Sequence, residues 1–245
     1  MNRRGTYLLP NLLTTAGLFA GFYSIASAMN AEFEIAAIAI FIAIVMDSFD
    51  GPIARFTNTQ TNFGMEYDSL SDMVSFGVAP PILMYTYILH DIGKLGWLAT
   101  FVYTVATALR LARFNTQPTA IDKRFFQGLP SPAAAALLAG GVWVYEVQNY
   151  ASWETLKLLS LSCTIMMGVL MVSNIRFYKH NINFNVRIPV FATILLVLIF
   201  IFIATEPAII LFTLSLIYIF SGLAITLFSM RKYRLAKQSK RSPKD

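Results

Sequence analysis

Four aspartates, Asp47, Asp50, Asp68 and Asp72, fall in the stretch DSFDGPIARFTNTQTNFGMEYDSLSD, within a chain that is otherwise strongly apolar. Asp47, Asp50, Gly51 and Ala54 are spaced i, i+3, i+4, i+7, one face of a helix, with Arg55 one residue round from it. Asp68 and Asp72 are spaced i, i+4, again one face, with Ser75 a further turn along. The polar run 57–63 between them predicts a turn joining two antiparallel helices, so the two carboxylate faces converge. An ionised Asp at mid-membrane costs roughly 2.5–3.5 kcal/mol on insertion scales. Four unpaired ones would cost on the order of 10–14 kcal/mol, comparable to the whole stability of a domain. Something must neutralise them. An all-oxygen donor set suits hard cations such as Mg²⁺ or Mn²⁺ rather than zinc. Such cations can themselves hold phosphate. The stretch contains no Ser/His or Cys/His pair.

These residues need helices to hold them, and the chain supplies lipid-compatible ones. Of its 245 residues, 56% are hydrophobic, with Phe alone contributing 20. The fold class is all-α, a polytopic membrane bundle with spans near 10–30, 33–55, 67–89, 95–114, 130–148, 155–173, 187–204 and 208–229. The short alternating segments of a membrane β-barrel are absent. The N-terminal apolar run is too long for a cleaved signal peptide and leads straight into the next span. The first 230 residues form one membrane domain, and 231–245 a basic tail that continues the last helix and frays.

Charge sets the orientation. With eight spans, seventeen of the nineteen Lys and Arg share one side: Arg3, Arg4, Arg55, Arg110, Arg113, Lys123, Arg124, Arg176, Lys179, Arg187 and seven in 231–245. Only Lys94 and Lys157 lie opposite, beside Glu32, Glu34, Asp91, Glu146, Glu154 and Glu206. The positive-inside rule puts both termini and the aspartates at the cytoplasmic edge. Strung along helix ends, the basic residues make a membrane-surface signal and argue against nucleic acid as a partner. The lone Cys163 excludes an intrachain disulfide, and His90 and His180 fall on opposite sides, which disfavours a histidine metal site. Trp97, Trp143 and Trp153, near span ends, read as interfacial belt residues.

The pattern D-x2-D-G-x2-A-R-x8-G-x3-D-x3-D resembles the signature of the CDP-alcohol phosphatidyltransferase family. It is complete here in Asp47, Asp50, Gly51, Ala54, Arg55, Gly64, Asp68 and Asp72. Pro10-Asn11-x2-Thr14 resembles the nucleotide-side segment of that family. The stretches Asp68-Ser69-Leu70-x-Asp72-x2-Ser75-Phe76-Gly77-x-Ala79-Pro80, Ala108-Leu109-Arg110-Leu111-Ala112-Arg113-Phe114-Asn115 and Gly128-Leu129-Pro130-x-Pro132-Ala133-Ala134 are similar to its phosphatidylserine synthase branch.

The resemblance implies transfer of a phosphatidyl group from CDP-diacylglycerol to the hydroxyl of L-serine, releasing CMP, with two Mg²⁺ or Mn²⁺ ions as cofactor. It implies Asp47, Asp50, Asp68 and Asp72 as metal ligands, with Asp72 also the general base. It implies Gly51, Ala54, Arg55 and Thr61 around the CDP moiety, helped by Asn11 and Thr14. Asn11, Thr14 and Thr61 have an alternative as helix-cap or loop residues. Arg110 and Arg113, three residues apart, suit a serine carboxylate or a lipid phosphate, or act as positive-inside anchors. Ser75 and Asn115 are further candidates for the serine site, while Lys123 and Arg124 face headgroups. The implied partners are the two substrates, membrane lipids and a second copy in a homodimer, in a prokaryotic cytoplasmic membrane. Other acceptors (glycerol phosphate, inositol, choline), an archaeal-type lipid donor and a cation transporter are the alternatives. Transport is disfavoured because the acids crowd one membrane edge and no internal repeat is present.

Overall fold

The computed structural model describes residues 8–57, 59–116, 125–148, 152–178 and 190–239. The chain runs through α1 (Leu8–Met29), α2 (Phe33–Phe56), α3 (Asn62–Asp72), a π-helical turn (Met73–Val78), α4 (Ala79–Tyr87) and a 3₁₀ turn (Leu89–Ile92). It continues through α5 (Lys94–Thr116), β1 (Phe125–Gln127), α6 (Ser131–Gln148), α7 (Trp153–Val172), β2 (Arg176–Tyr178), α8 (Val190–Thr205) and α9 (Pro207–Ser239). Among the described residues, four helices are long and apolar enough to cross a membrane: Pro10–Met29, Lys94–Thr116, Trp153–Val172 and Pro207–Thr226. The other expected spans also form helices, without being among these four. α2 holds Glu34, Asp47, Asp50 and Arg55. α8 has 16 described residues, against the roughly 20 that span a bilayer core. The expected positions of Arg3, Arg4, Lys123, Arg124, Lys179, His180, Arg187 and 240–245 lie outside the described residues.

The span expected at 67–89 is a composite. Pro80 and Pro81 lack the N–H groups that an α-helix would bond to the carbonyls of Phe76 and Gly77, so the ladder cannot pass through them unchanged. The chain answers with the π-helical turn over Met73–Val78 and restarts as α4 with proline in its first turn. The second departure from an all-helical reading is a small antiparallel ribbon. It pairs Phe125 with Tyr178, Phe126 with Phe177 and Gln127 with Arg176. Three aromatic-rich residues per strand are too few to give a periodic signal.

Helix α1 packs along α2 through small side chains: Ala20, Ser24, Ser27 and Ala28 against Ala36, Ala37, Ile40 and Ala43, all buried. Such close approach is how helices associate in lipid, where apolar burial alone gives no preference for protein over acyl chains. Ser24 adds a bond from its hydroxyl to the Ala36 carbonyl at 2.8 Å. Helix α4 is central and packs on α1, α5 and α6. Phe76, Leu83, Ile88, Leu129, Leu138 and Met167 are fully shielded around it. Large apolar side chains such as Phe19, Phe22, Leu158, Leu159, Phe200 and Phe202 point outward, as a lipid-facing surface requires. Trp143 departs from the belt reading. It is 7% exposed, and its indole N–H donates to Glu34 at 3.1 Å, so its amphipathic ring closes the end of the bundle from within. Trp153 donates to Asp91 at 2.9 Å at the same end, and this bond holds the Asp91 carboxyl below the ordinary carboxylate range.

Candidate active site

Helices α2 and α3 bring the aspartates together as the spacing predicts. Carboxylate oxygens of Asp47, Asp50 and Asp68 all lie within 4.8 Å of one another. Asp72 closes the group: it is in side-chain contact with Asp47, as Asp68 is with Asp50. None of the described ion pairs involves these four residues. Two oxygens on one Mg²⁺, each at 2.0–2.1 Å, stand at most about 4.2 Å apart. Neighbouring oxygens on an octahedral Mg²⁺ stand about 3 Å apart, so three carboxylates within 4.8 Å of one another would draw in around a bound ion. The donor set, all carboxylate oxygen and without a neutralising partner within ion-pair distance, fits a hard divalent cation.

The cluster is braced from α1. Thr14 is buried, and its hydroxyl lies 2.9 Å from Asp50 Oδ2 and 3.1 Å from the Pro10 carbonyl. One proton cannot serve both acceptors fully, and the shorter, charged one has the stronger claim. Ser71 donates to the Thr14 carbonyl and Ser75 to the Gly17 carbonyl, each at 3.1 Å, so α3 and the π-turn are bolted to the same turns of α1. Ser75 therefore spends its proton on helix packing, although it lines the cleft together with Asp47, Asp50, Asp68 and Asp72.

Of the residues expected around the CDP moiety, Thr14 lines this cleft, Arg55 lies beside Gly51, and Asn11 and Thr61 meet at Gly64. A Cβ added at Gly51 would meet only the Arg55 guanidinium, at 3.7 Å, which leaves open space beside the carboxylates. Pro52 is inside α2, so the Ser48 carbonyl has no α-helical N–H partner at the turn that carries the site. Thr61 is the N-cap of α3, its hydroxyl oxygen accepting from the Gly64 N–H at 3.0 Å. The cap alternative for Thr61 is thus what its described bond shows. Asn11 reaches the same spot, its Oδ1 lying 3.6 Å from where a Gly64 Cβ would be.

The structure separates the two arginines of α5. Arg113 donates to the Asn174 side chain at 3.0 Å and to the Val172 carbonyl at 3.5 Å, a cation on the C-terminal end of α7. Arg110 instead faces inward, within electrostatic reach of Asp72 and Asp47, and donates to the Ser131 hydroxyl at 3.1 Å. Its Nε is shielded from solvent and has no partner. Asn115 pairs with Ser69 and Glu66 on α3, outside the carboxylate group. Ser131 was not singled out as a site residue. It is the unspecified position in Gly128-Leu129-Pro130-x-Pro132, and the only signal for it was a hydroxyl inside an apolar stretch.

Comparison with known proteins agrees with this geometry. Residues 7–170 match the family model described as CDP-alcohol phosphatidyltransferase. A Helicobacter pylori protein named CDP-diacylglycerol–serine O-phosphatidyltransferase is 37% identical over 196 residues, covering 80% of this chain and 82% of its own. A Bacillus subtilis protein of the same name is 31% identical over 169 residues, 69% of this chain and 89% of its own. One from Methanocaldococcus jannaschii is 38% identical over 141 residues, 58% and 62% of the two chains. The chain belongs to the CDP-alcohol phosphatidyltransferase family.

Proposed function

We propose that this member of the family transfers the phosphatidyl group of CDP-diacylglycerol to the hydroxyl of L-serine. The observation that carries the reading is the joint presence of the complete eight-position motif, folded into one carboxylate group, and relatives of that named activity over most of the chain. The serine oxygen forms a bond to the phosphatidyl phosphorus. The bond from that phosphorus to the diphosphate bridging oxygen breaks, and CMP leaves with the electron pair. The hydroxyl proton passes to Asp72, a metal ligand on the Asp47 and Arg110 side of the group. Asp47, Asp50, Asp68 and Asp72 would hold two Mg²⁺ or Mn²⁺ ions. When bound, these supply Lewis-acid neutralisation of the diphosphate oxygens.

Asn11, Thr14, Gly51, Ala54, Arg55 and Thr61 form the donor side of the site. Gly51 and Ala54 keep side-chain bulk away from the nucleotide, and Arg55 offers a cation beside Gly51. Arg110 is the anion-binding group on the other side. The eight helical rods span a prokaryotic cytoplasmic membrane with both termini and the site on the cytoplasmic face, a topology supported by the seventeen-to-two partition of basic residues. A homodimer, which the family resemblance implies, completes the reading. The test is direct. Purified protein in detergent is given CDP-diacylglycerol and a panel of labelled alcohols, and products are separated by chromatography. L-Serine is expected to be the preferred acceptor with stoichiometric CMP; preference for glycerol phosphate, inositol or choline would overturn the assignment.

A further inference from the structure

The Arg110 guanidinium is tied at one corner and open along one edge. Its Nη1 donates to the Ser131 hydroxyl at 3.1 Å. Its Nε is shielded from solvent without a partner, and none of the described hydrogen bonds uses Nη2. The N–H groups of Nε and Nη2 point the same way, and together they make the fork that takes two oxygens of a carboxylate or phosphate. A shielded donor with no partner calls for a ligand. The packing of α5 sets this fork close to the carboxylate group. Thr107 Cγ2 lies 3.0 Å from where a Gly77 Cβ would be, and Asn115 bonds Ser69 at 3.1 Å. These two contacts fix an antiparallel register that brings Arg110 level with Val74, two residues and about 3 Å of helix rise from Asp72. None of the described ion pairs joins Arg110 to the aspartates, so the fork is not consumed by them.

Ser131 is fully buried, and the backbone on both sides of it is fixed. Gly128 has φ +82°, donates to the Ile175 carbonyl at 2.8 Å, and has no room for a side chain against the Met171 carbonyl. Leu129, also fully buried, donates to the Leu170 carbonyl at 3.1 Å. The Pro130 carbonyl then accepts from the N–H groups of Ala133 and Ala134, both at 3.1 Å, where α6 begins. The β-ribbon, with Gln127 opposite Arg176, continues the same anchoring upstream. The hydroxyl is therefore delivered to a set point. A guanidinium bonded to it through Nη1 loses much of the rotational freedom of its long stem.

We propose that Ser131 is a positioning residue for the acceptor: it ties Nη1 of Arg110 so that the Nε and Nη2 edge is presented to the carboxylate of the incoming amino acid. Ser131 itself touches no substrate. Fixing the guanidinium beforehand lets the carboxylate bind without the cost of ordering a flexible side chain at that moment. A neutral amide in place of the carboxylate sets N–H against N–H on one arm of the fork, and such mismatches discriminate strongly. A lipid phosphate could use the same fork, and the two sources are told apart by which substrate is affected.

The assignment rests on the serine-transfer reading, and the experiment separates the two. Full-length wild type, S131A, S131C, R110K and the S131A/R110K double variant are purified in detergent. KM is measured independently for L-serine, for CDP-diacylglycerol and for L-serinamide, which keeps the hydroxyl and the ammonium but has no carboxylate. S131A is expected to raise the serine KM about tenfold, the low end for a hydrogen bond to a charged group, with kcat and the CDP-diacylglycerol KM little changed. Preference for serine over serinamide falls by a similar factor. S131C keeps nearly the same volume but accepts weakly, so it should move the same way without leaving a cavity. In the R110K background S131A should add little, because its effect passes through Arg110. An unchanged serine KM in S131A would overturn the proposal, or in S131C should S131A prove unstable by thermal melt. So would an equal rise in the serinamide KM, which marks a merely structural role, or an undiminished effect in R110K. A rise confined to the CDP-diacylglycerol KM would assign the fork to a lipid phosphate and overturn it as well. A wild type that forms no phosphatidylserine refutes the reaction itself, whatever the variants do.

Discussion

Thr14→Val tests whether α1 tunes the metal site or merely packs against it. Valine fills nearly the same volume, and the backbone carbonyl that accepts from Ser71 is untouched. What is lost is one O–H donor at 2.9 Å from Asp50 Oδ2. Hydrogen bonds to charged groups contribute roughly 1.5–3 kcal/mol, which at 1.4 kcal/mol per decade corresponds to about 10- to 140-fold in an equilibrium constant. The range agrees with the roughly 10–100-fold losses seen when a group that orients a metal ligand is removed. The competing acceptor, the Pro10 carbonyl, is neutral and contributes less. The assay is Mn²⁺-dependent CMP release, read as the metal concentration for half-maximal activation. It is repeated on Asp50→Asn and on the double variant. The cycle isolates the pair: Thr14→Val should cost far less when Asp50 is already Asn. A Val variant with wild-type metal activation and only a lowered Tm would show that Thr14 is structural, and the bracing argument would fall.

Asp72→Asn keeps the shape and one ligating oxygen but cannot accept a proton, so turnover should drop by about 10²–10⁴ while CDP-diacylglycerol KM changes little; a defect wholly in nucleotide binding would remove Asp72 as base. Excess chelator should abolish turnover and added Mg²⁺ or Mn²⁺ restore it, and full activity in chelator would refute metal assistance. Reporter fusions at Asp91 and Glu206 should report outside and those at Lys123 and the C-terminus inside; an exported C-terminus would break the eight-span topology.

The convergence of the four carboxylates was legible because it is local. Asp47 and Asp50 share one helix, Asp68 and Asp72 the next, and helical spacing fixes which way each pair faces. The boundaries of α2 were legible for a similar reason, since polar residues end its apolar run near Phe56. What escaped was set by tertiary contact. Arg110 and Arg113 are three residues apart on one helix with identical chemistry. Only the neighbours, Ser131 for one and the end of α7 for the other, divide them. Trp143 looked like a belt residue because its helix ends nearby, but its partner Glu34 sits on a helix 109 positions earlier. Hydropathy also read straight through Pro80 and Pro81, since it records how apolar a segment is and nothing of its missing N–H groups.

The π-helical turn that results has a mechanical consequence. An α-helix advances about 100° per residue, so one residue accommodated as a π-turn shifts the phase of everything beyond it by about that angle. Asp68 and Asp72 lie before the shift, and Ala79, Leu83 and Met84, which bury themselves in the core, lie after it. The turn works like a splined coupling between two shafts, letting the reactive face and the packing face be set to different bearings on one rod. Deleting Val74, to relax the turn to plain α-helix, should force a choice. Either the carboxylates swing away from Asp47 and Asp50, or the Leu83 face rotates toward lipid. A deletion variant that kept both metal activation and thermal stability would show that the coupling is idle.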